Sequence, residues 1–181
     1  MAGTLDTGRV MVETDRLVMR EFVEGDAESL FRLDSDPEVH RYLGGNPLVH
    51  IDQSVAIVAR VRQQYRTNGI GRWVTLEKSS GDFLGWSGLR FVPETVNGRV
   101  DFIDLGYRFL PAFWGKGYAS EAAIASVRHG FDVMKLDAIC GYADRDNTAS
   151  RRVLEKAGLC HTGSFLYDLK PTEWYELARA A

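Results

Sequence analysis

The chain is poor in cysteine and has no long apolar run. These two absences argue against a disulfide-bonded protein and against a membrane-spanning one. Two cysteines in 181 residues, Cys140 and Cys160, indicate a reduced compartment, with both thiols as small core residues rather than a disulfide. With four scattered histidines they give no metal-ligand spacing, so we expect no metal site. No apolar segment approaches the roughly 20 residues of a membrane helix, and residues 1–10 lack the basic-then-apolar pattern of a signal peptide. We therefore expect a cytoplasmic protein with no membrane partner.

A strong excess of charge of either sign is also missing. The net charge is −3 and the pI about 5.8, which gives no sign of a basic surface for nucleic acid. The composition is 45% hydrophobic and 26% charged, which suits one globular domain with a sizeable core. We predict a flexible N-terminal tail over residues 1–11 and a single domain over residues 12–181.

The most informative segment is GYRFLPAFWGKGYASE at residues 106–121. A strand pattern over residues 101–109 leads through a proline-containing turn into Gly115, Lys116 and Gly117. A helix is predicted directly after them, because small and apolar residues recur at three- and four-residue spacing. Glycines between a strand and a helix start let backbone N–H groups point outward, and the positive end of the helix dipole adds to them. The segment therefore predicts a site for a phosphate-bearing ligand.

Two familiar phosphate-binding motifs do not fit this segment. A P-loop needs glycine at position 110 and serine or threonine after the lysine, where the chain has Leu110 and Gly117. A dinucleotide fingerprint needs a third glycine where Ser120 stands and an acidic residue closing the next strand. Asp137 lies near the start of that strand instead. The loop therefore belongs to a third class.

Blocks of sequence in order along the chain resemble the GNAT acetyltransferases, most closely the branch that includes the ribosomal-protein N-terminal acetyltransferases. They are TDRLVMR at residues 14–20, DLGYR at 104–108, WGKGYASEA at 114–122 and NTASRRVLEKAGL at 147–159. A single Gly-Lys-Gly would be a weak signal. The last two blocks, about 30 residues apart with a strand between them, are a specific one. The resemblance covers nearly the whole chain.

The predicted elements and the resemblance give the same fold class. A strand meander followed by a strand–helix–strand unit is an α+β pattern. The resemblance implies a three-layer α/β arrangement, with a mixed, mostly antiparallel sheet of six to seven strands flanked by helices. It also implies that the fourth and fifth strands splay apart, with the acetyl group lying in the gap.

The resemblance further implies acetyl-CoA as the co-substrate. The backbone of Tyr107, Arg108 and Phe109 would hold its pantetheine arm, and Asn147 would contact the same arm, although asparagine at a helix start is also a favoured N-cap. Position 112, where the wider superfamily often has glutamine or arginine, is Ala112. The diphosphate would be held by the loop and helix start, Gly115, Lys116, Gly117, Tyr118, Ala119 and Ser120. Lys116 could equally face solvent, and the two tyrosines could serve packing.

Ser150 is the candidate proton donor. It shares the apolar face of its predicted helix with Leu154, a position where serine usually bonds back to a backbone carbonyl. The resemblance implies that this serine protonates the departing thiolate. The tyrosine that many superfamily members use as donor falls at Leu154, so another group has to supply the proton.

Asp104 is the candidate base. Period-2 alternation puts it on the same strand face as Gly106 and Arg108. It could orient a water that deprotonates the amine, or it could form a plain salt bridge. Glu77 and His161 are weaker candidates.

Two functions are compatible with these residues. The first is transfer of an acetyl group from acetyl-CoA to a primary amine by direct attack in a ternary complex, the acceptor being a protein N-terminus, an amino acid or a small amine. The alternative is a catalytically inactive acyl-CoA-binding or sensor module. The acceptor pocket is expected between residues 37–68 and residues 167–174. An edge strand near the C-terminus could also pair two subunits into a homodimer.

Overall fold

The computed structural model of the chain describes residues 7–179. Twelve helices and strands follow one another within this range, apart from two short 3₁₀ turns. They are β1 Val10–Glu13, β2 Leu17–Arg20, α1 Ala27–Asp34, α2 Ile51–Asn68, β3 Trp73–Glu77, β4 Phe83–Val92, β5 Phe102–Phe109, α3 Tyr118–Asp132, β6 Ala138–Asp144, α4 Thr148–Lys156, β7 Cys160–Tyr167 and β8 Lys170–Ala178.

All the strands join one sheet in the order β1-β2-β3-β4-β5-β6-β8-β7. Every neighbouring pair is antiparallel except β5 and β6. The α+β class and the mixed, mostly antiparallel sheet are confirmed. The described residues form eight strands rather than the six to seven expected, because a turn at residues 14–16 separates β1 from β2.

The predicted tail boundary is wrong at its C-terminal end. Val10 and Met11 belong to β1, which pairs with β2 through backbone hydrogen bonds. Val10, Met11 and Val12 are apolar in succession instead of alternating with polar residues, so the sequence carried no clear strand signal. Residues 1–6 of the predicted tail lie outside the described residues.

The two faces of the sheet carry different helices. Helices α3 and α4 pack on one side, the α3 face, where Leu89, Leu105 and Ile139 meet Val127 and Leu154 in a buried cluster. Helices α1 and α2 pack on the other side, the α1 face, where a second buried cluster joins them to β3 and β4. This layering gives β5 one face toward each pair of helices.

Side chains cap two of the four described helices, α2 and α4. The Asn147 side chain accepts a hydrogen bond from the Ser150 N–H at 3.0 Å, so the predicted cap of α4 is confirmed. Helix α2 is capped by His50 and Gln53. Helix α3 begins at Tyr118, directly after Gly117, and has no side-chain cap.

The sheet opens between β5 and β6. These parallel strands pair at a single position, Asp104 opposite Cys140. Beyond it, the edge of β5 from Leu105 to Phe109 has no strand partner on the β6 side among residues 7–179. The splay implied by the resemblance is therefore confirmed, and it forms a gap that runs toward the start of α3.

Both cysteines are free thiols, and only one is a core residue. Cys140 is buried, whereas Cys160 is exposed at the start of β7, so the expectation of two core thiols is wrong for Cys160. Within residues 7–179, no helix is long and apolar enough to cross a membrane. The same part of the chain contains no group of three or more His, Cys, Asp or Glu placed to hold a metal ion.

Candidate active site

The glycine loop presents unpaired backbone donors at the start of α3. Gly115 and Gly117 have φ of +73° and +82°, a conformation that other L-residues adopt only with strain. The Glu121 N–H donates to the Gly117 carbonyl at 3.0 Å. The N–H groups of residues 118–120 therefore precede the helical ladder and need acceptors from outside the helix. Together with the helix dipole they form a site suited to an anion.

Arg16 braces this loop from the turn between β1 and β2. Its Nη1 donates to the Lys116 carbonyl at 3.1 Å, and its Nε donates to the Glu121 carboxylate at 2.6 Å. The guanidinium also lies 4.4 Å from the centre of the Tyr118 ring. The sequence gave no local signal for this contact, because about 100 residues separate the partners.

Glu121 and Tyr118 are held by further hydrogen bonds. Burial alone would raise the pKa of Glu121, but hydrogen bonds from Thr14 and Arg16 to its carboxylate lower that pKa overall. The Tyr118 hydroxyl donates to Glu77, and its ring is buried. Glu77, a weaker candidate base, therefore lies beside α3, where its carboxylate accepts this hydrogen bond from Tyr118.

Three of the predicted residues meet where the gap between β5 and β6 reaches α4. The Tyr107 hydroxyl donates to the Ser150 carbonyl oxygen at 2.6 Å and lies 3.0 Å from the Ser150 Oγ. Asn147 caps the same turn of α4. Burial raises the pKa of the Tyr107 phenol, so this hydroxyl is protonated at neutral pH.

Leu154 occupies apolar space one turn further along α4. It is 1% exposed, and a Cβ added at Gly141 of β6 would come within 2.7 Å of its Cδ2. The leucine therefore fills core volume. Between these two positions of α4, Ser150 is the one that carries a hydroxyl toward the gap.

Asp104 marks the closed end of the gap and is bound by a buried arginine. The Arg72 guanidinium forms an ion pair with its carboxylate and donates to the Gly88 and Asp104 carbonyls. Burial raises the pKa of Asp104, and the positive charge of Arg72 opposes that shift. The salt-bridge alternative for Asp104 is therefore present, while its Oδ1 makes no hydrogen bond within residues 7–179.

The α1 face of the gap carries further charged side chains. Arg108 donates to the buried Asp34 of α1 at 2.7 Å, and its guanidinium lies 5.2 Å from the Trp86 ring centre. His40 is buried close by, with neither ring nitrogen hydrogen-bonded inside the described range. Burial, with Arg108 adding to it, lowers the pKa of His40, which is therefore neutral at pH 7.

The structure separates the predicted residues into groups. Tyr107, Asn147 and Ser150 lie together at the gap, and residues 115–120 lie where it ends. His161, a weaker candidate base, makes no hydrogen bond to any of them within the described residues and contacts Glu173 on β8. Trp114 is 48% exposed, and its indole N–H donates to the Phe109 carbonyl at the end of β5.

Known proteins share both this sequence pattern and this fold. A family profile described as an acetyltransferase (GNAT) domain matches residues 16–159. One relative, FsC-acetyl coenzyme A-N(2)-transacetylase of Aspergillus fumigatus, is 34% identical over 167 residues, which cover 88% of this chain and 70% of that protein. A GNAT-family acetyltransferase structure from Bacillus anthracis has a TM-score of 0.77 and 24% identity over 92% of this chain and 97% of that one. The chain therefore belongs to the GNAT acetyltransferase family and is an acetyl-CoA-dependent N-acetyltransferase.

The narrower branch is less well supported. A structure described as a candidate ribosomal-protein-serine acetyltransferase from Vibrio cholerae has a TM-score of 0.74 with 17% identity, over 93% of this chain and 97% of that one. This likeness shows a common fold and does not favour that branch over others.

Proposed function

We propose that the chain acetylates a primary amine by direct attack of the amine on acetyl-CoA within a ternary complex. The observation that carries this proposal is that β5, whose edge toward β6 is unpaired beyond Asp104 within the described residues, leads through residues 110–117 into the uncapped start of α3. The strand edge would bind the pantetheine arm, and the N–H groups of residues 118–120 would bind the diphosphate. Acetyl-CoA fits the donors present, because Gly115 and Gly117 leave the approach to those N–H groups free of side chains.

In this reaction the amine nitrogen bonds to the thioester carbonyl carbon and the carbon–sulfur bond breaks. The nitrogen loses a proton, and the sulfur gains one. Positioning accounts for much of the rate, since well-oriented intramolecular reactions gain roughly 7–11 kcal/mol. A backbone N–H on the open edge of β5 would stabilise the developing oxyanion.

Ser150 would hydrogen-bond to the departing thiolate. The Tyr107 hydroxyl supports this assignment, because its own proton is given to the Ser150 carbonyl. Tyr107, whose raised pKa keeps the phenol protonated, then orients the serine hydroxyl. A serine is a weak acid, so its role would be to donate a hydrogen bond or to relay a proton from water.

Asp104 would help to remove the proton that the amine nitrogen loses. Its Oδ2 is held by Arg72, and Oδ1 is left to orient a water that takes the proton from the amine. The carboxylate is fixed in place at the closed end of the gap, which supports a role in positioning that water.

The acceptor would enter from the α1 face. Two contacts support the predicted pocket segments: α2 packs on this face of the sheet, and Tyr167 contacts Tyr142 of β6. The Aspergillus relative is named for acetylation of an N(2) amine, which supports an acceptor with a free amino group. The exposed edge strand β7 also leaves room for the predicted homodimer.

The test measures binding and turnover separately. Acetyl-CoA at about 100 times its dissociation constant should add roughly 2.7 kcal/mol to the free energy of unfolding. Thiol release should then require an amine, tested with amino acids, amino acid amides, spermidine and short peptides. Binding without thiol release across this panel would contradict the proposal and favour the inactive binding module.

A further inference from the structure

One arginine on the α1 face, Arg90, makes no hydrogen bond and no ion pair within the described residues. Arg90 lies on β4 directly opposite Asp104 of β5, so both side chains lie on the same side of the sheet. Its Nε is inaccessible to solvent. Buried polar groups almost always have a partner, and Nε lacks one within residues 7–179. The side chain as a whole is half-buried, so its outer nitrogens are open to a ligand.

The neighbouring charges leave this arginine in excess. Arg72 is paired with Asp104, and Arg108 is paired with Asp34. Each acidic group is already bound by one guanidinium. Arg90 also attracts the Asp104 carboxylate without forming an ion pair with it, so three guanidinium groups share two carboxylates at the closed end of the gap.

The surface next to Arg90 is aromatic. Val92, two residues further along β4, belongs to a buried cluster with Phe102 and Trp174. The Tyr142 ring is stacked on Trp174 with centres 5.7 Å apart and an angle of 6°, and Phe165 packs at its edge. This cluster contains no helix residue among those described, and Val92, Phe102 and Trp174 are buried within it. The half-buried rings of Tyr142 and Phe165 form its outer side, and no helix of the described range covers them.

These features suit an acceptor with an anionic end and an apolar body. Arginine binds carboxylate through two parallel hydrogen bonds, and such pairs are stronger than neutral ones. We infer that Arg90 binds a carboxylate of the acceptor, and that the acceptor is an α-amino acid with an apolar side chain that packs on the half-buried ring of Tyr142. This inference rests on the proposed function and names the substrate class of the same site.

The first test compares matched acceptors by thiol release. L-Phenylalanine should have a kcat/KM about tenfold or more above that of L-phenylalanine amide, and spermidine should be poorer still, because each lacks the carboxylate. Amidation lowers the amine pKa, so simple amine reactivity predicts the opposite order. Preference for the amide or for spermidine would overturn the inference.

The second test uses variants of the arginine. Arg90→Gln should lower kcat/KM for L-phenylalanine about tenfold or more, mainly through KM, and leave the amide unchanged. Arg90→Lys should recover part of the loss. Arg128→Gln, at an exposed arginine of α3, is the matched control and should change neither substrate. Equal losses for acid and amide in Arg90→Gln would overturn the inference.

A binding measurement separates this inference from the proposed function. L-Phenylalanine should raise the melting temperature of the protein saturated with coenzyme A, and the amide should not. Arg90→Gln should abolish that rise. If no amine releases thiol, the proposed function is wrong, yet the same binding comparison still decides the role of Arg90. Equal stabilisation by acid and amide would contradict it.

Discussion

The Tyr107 hydroxyl joins the open edge of β5 to the first turn of α4 through Ser150. It donates to the Ser150 carbonyl at 2.6 Å, and its oxygen lies 3.0 Å from the Ser150 Oγ. Because a phenol has one proton, the serine hydroxyl donates to the tyrosine until a stronger acceptor arrives. A thiolate formed in the gap would be such an acceptor.

We predict that Ser150→Ala lowers kcat about a hundredfold, because a positioned proton donor is worth at least that much. The dissociation constant of coenzyme A should stay within about twofold. Ser126→Ala is the matched control, since Ser126 is a buried helix serine that donates to the Ala122 carbonyl at 2.7 Å, away from the gap. Unchanged turnover in Ser150→Ala would assign the proton to water or another side chain.

Tyr107→Phe should lower kcat about tenfold, since it removes one hydrogen bond that orients the serine. If the tyrosine acts through Ser150, the double variant should be no slower than Ser150→Ala alone. Multiplicative losses in the double variant would show that the two hydroxyls act independently.

Gly117→Val should weaken coenzyme A binding at least tenfold, because the positive φ places the first N–H groups of α3 and valine cannot adopt it without strain. Gly98→Val is the control. Gly98 has a φ of +72° in a distant turn with open space around it, so strain alone should cost about 1–2 kcal/mol there without changing cofactor affinity. Equal affinity in wild type and Gly117→Val would refute the loop assignment.

Arg16→Gln should lower coenzyme A affinity several-fold, because the brace on the Lys116 carbonyl and on Glu121 is lost. The free energy of unfolding should change by less than about 1 kcal/mol, since the Arg16 side chain is 44% exposed. Titration calorimetry and chemical denaturation distinguish the two effects. A large stability loss with intact affinity would assign Arg16 to folding.

Asp104→Asn should cost about 3–5 kcal/mol of stability, because it leaves the buried Arg72 unpaired. Replacing both partners, with Arg72→Met and Asp104→Leu, should cost less than the sum of the single changes. Glu38→Gln is the control, since Glu38 is 60% exposed in its pair with Arg41 and should cost less than about 1 kcal/mol. Urea denaturation measures all of these variants, and additive costs would contradict the coupling.

Glu173 gives a prediction for acid stability. Hydrogen bonds from Ser164, Arg145 and His161 lower its pKa from 4.5 to about 2. The unfolded chain therefore binds more protons between these values, so the stabilisation is complete above pH 4.5 and is lost as pH falls toward 2. In Glu173→Gln the free energy of unfolding should vary less with pH over this window. An unchanged slope would contradict the lowered pKa.

Local sequence was enough for the parts of the site built from neighbouring residues. The glycines before α3, the Asn147 cap and the serine one turn into α4 all follow from short-range patterns. The opening between β5 and β6 came from the family resemblance, because alternation along a strand does not reveal its partner.

Contacts between distant residues escaped prediction. Arg16 reaches Lys116 across 100 positions, and Arg72 reaches Asp104 across 32. Both arginines stand in ordinary strand or turn sequence, where a surface arginine looks the same. Their roles depend on which strands become neighbours, and so does the isolation of Arg90.

Within residues 7–179, strands β1 to β5 pair with strands β6 to β8 at one position, Asp104 opposite Cys140. The packing of α3 and α4 on both groups of strands, rather than strand pairing, therefore provides most of the mechanical link between the two groups. A ligand bound in the opening would contact both groups of strands and reduce the motion of both. We expect this loss of motion to slow the exchange of the β5 and β6 amide protons with solvent.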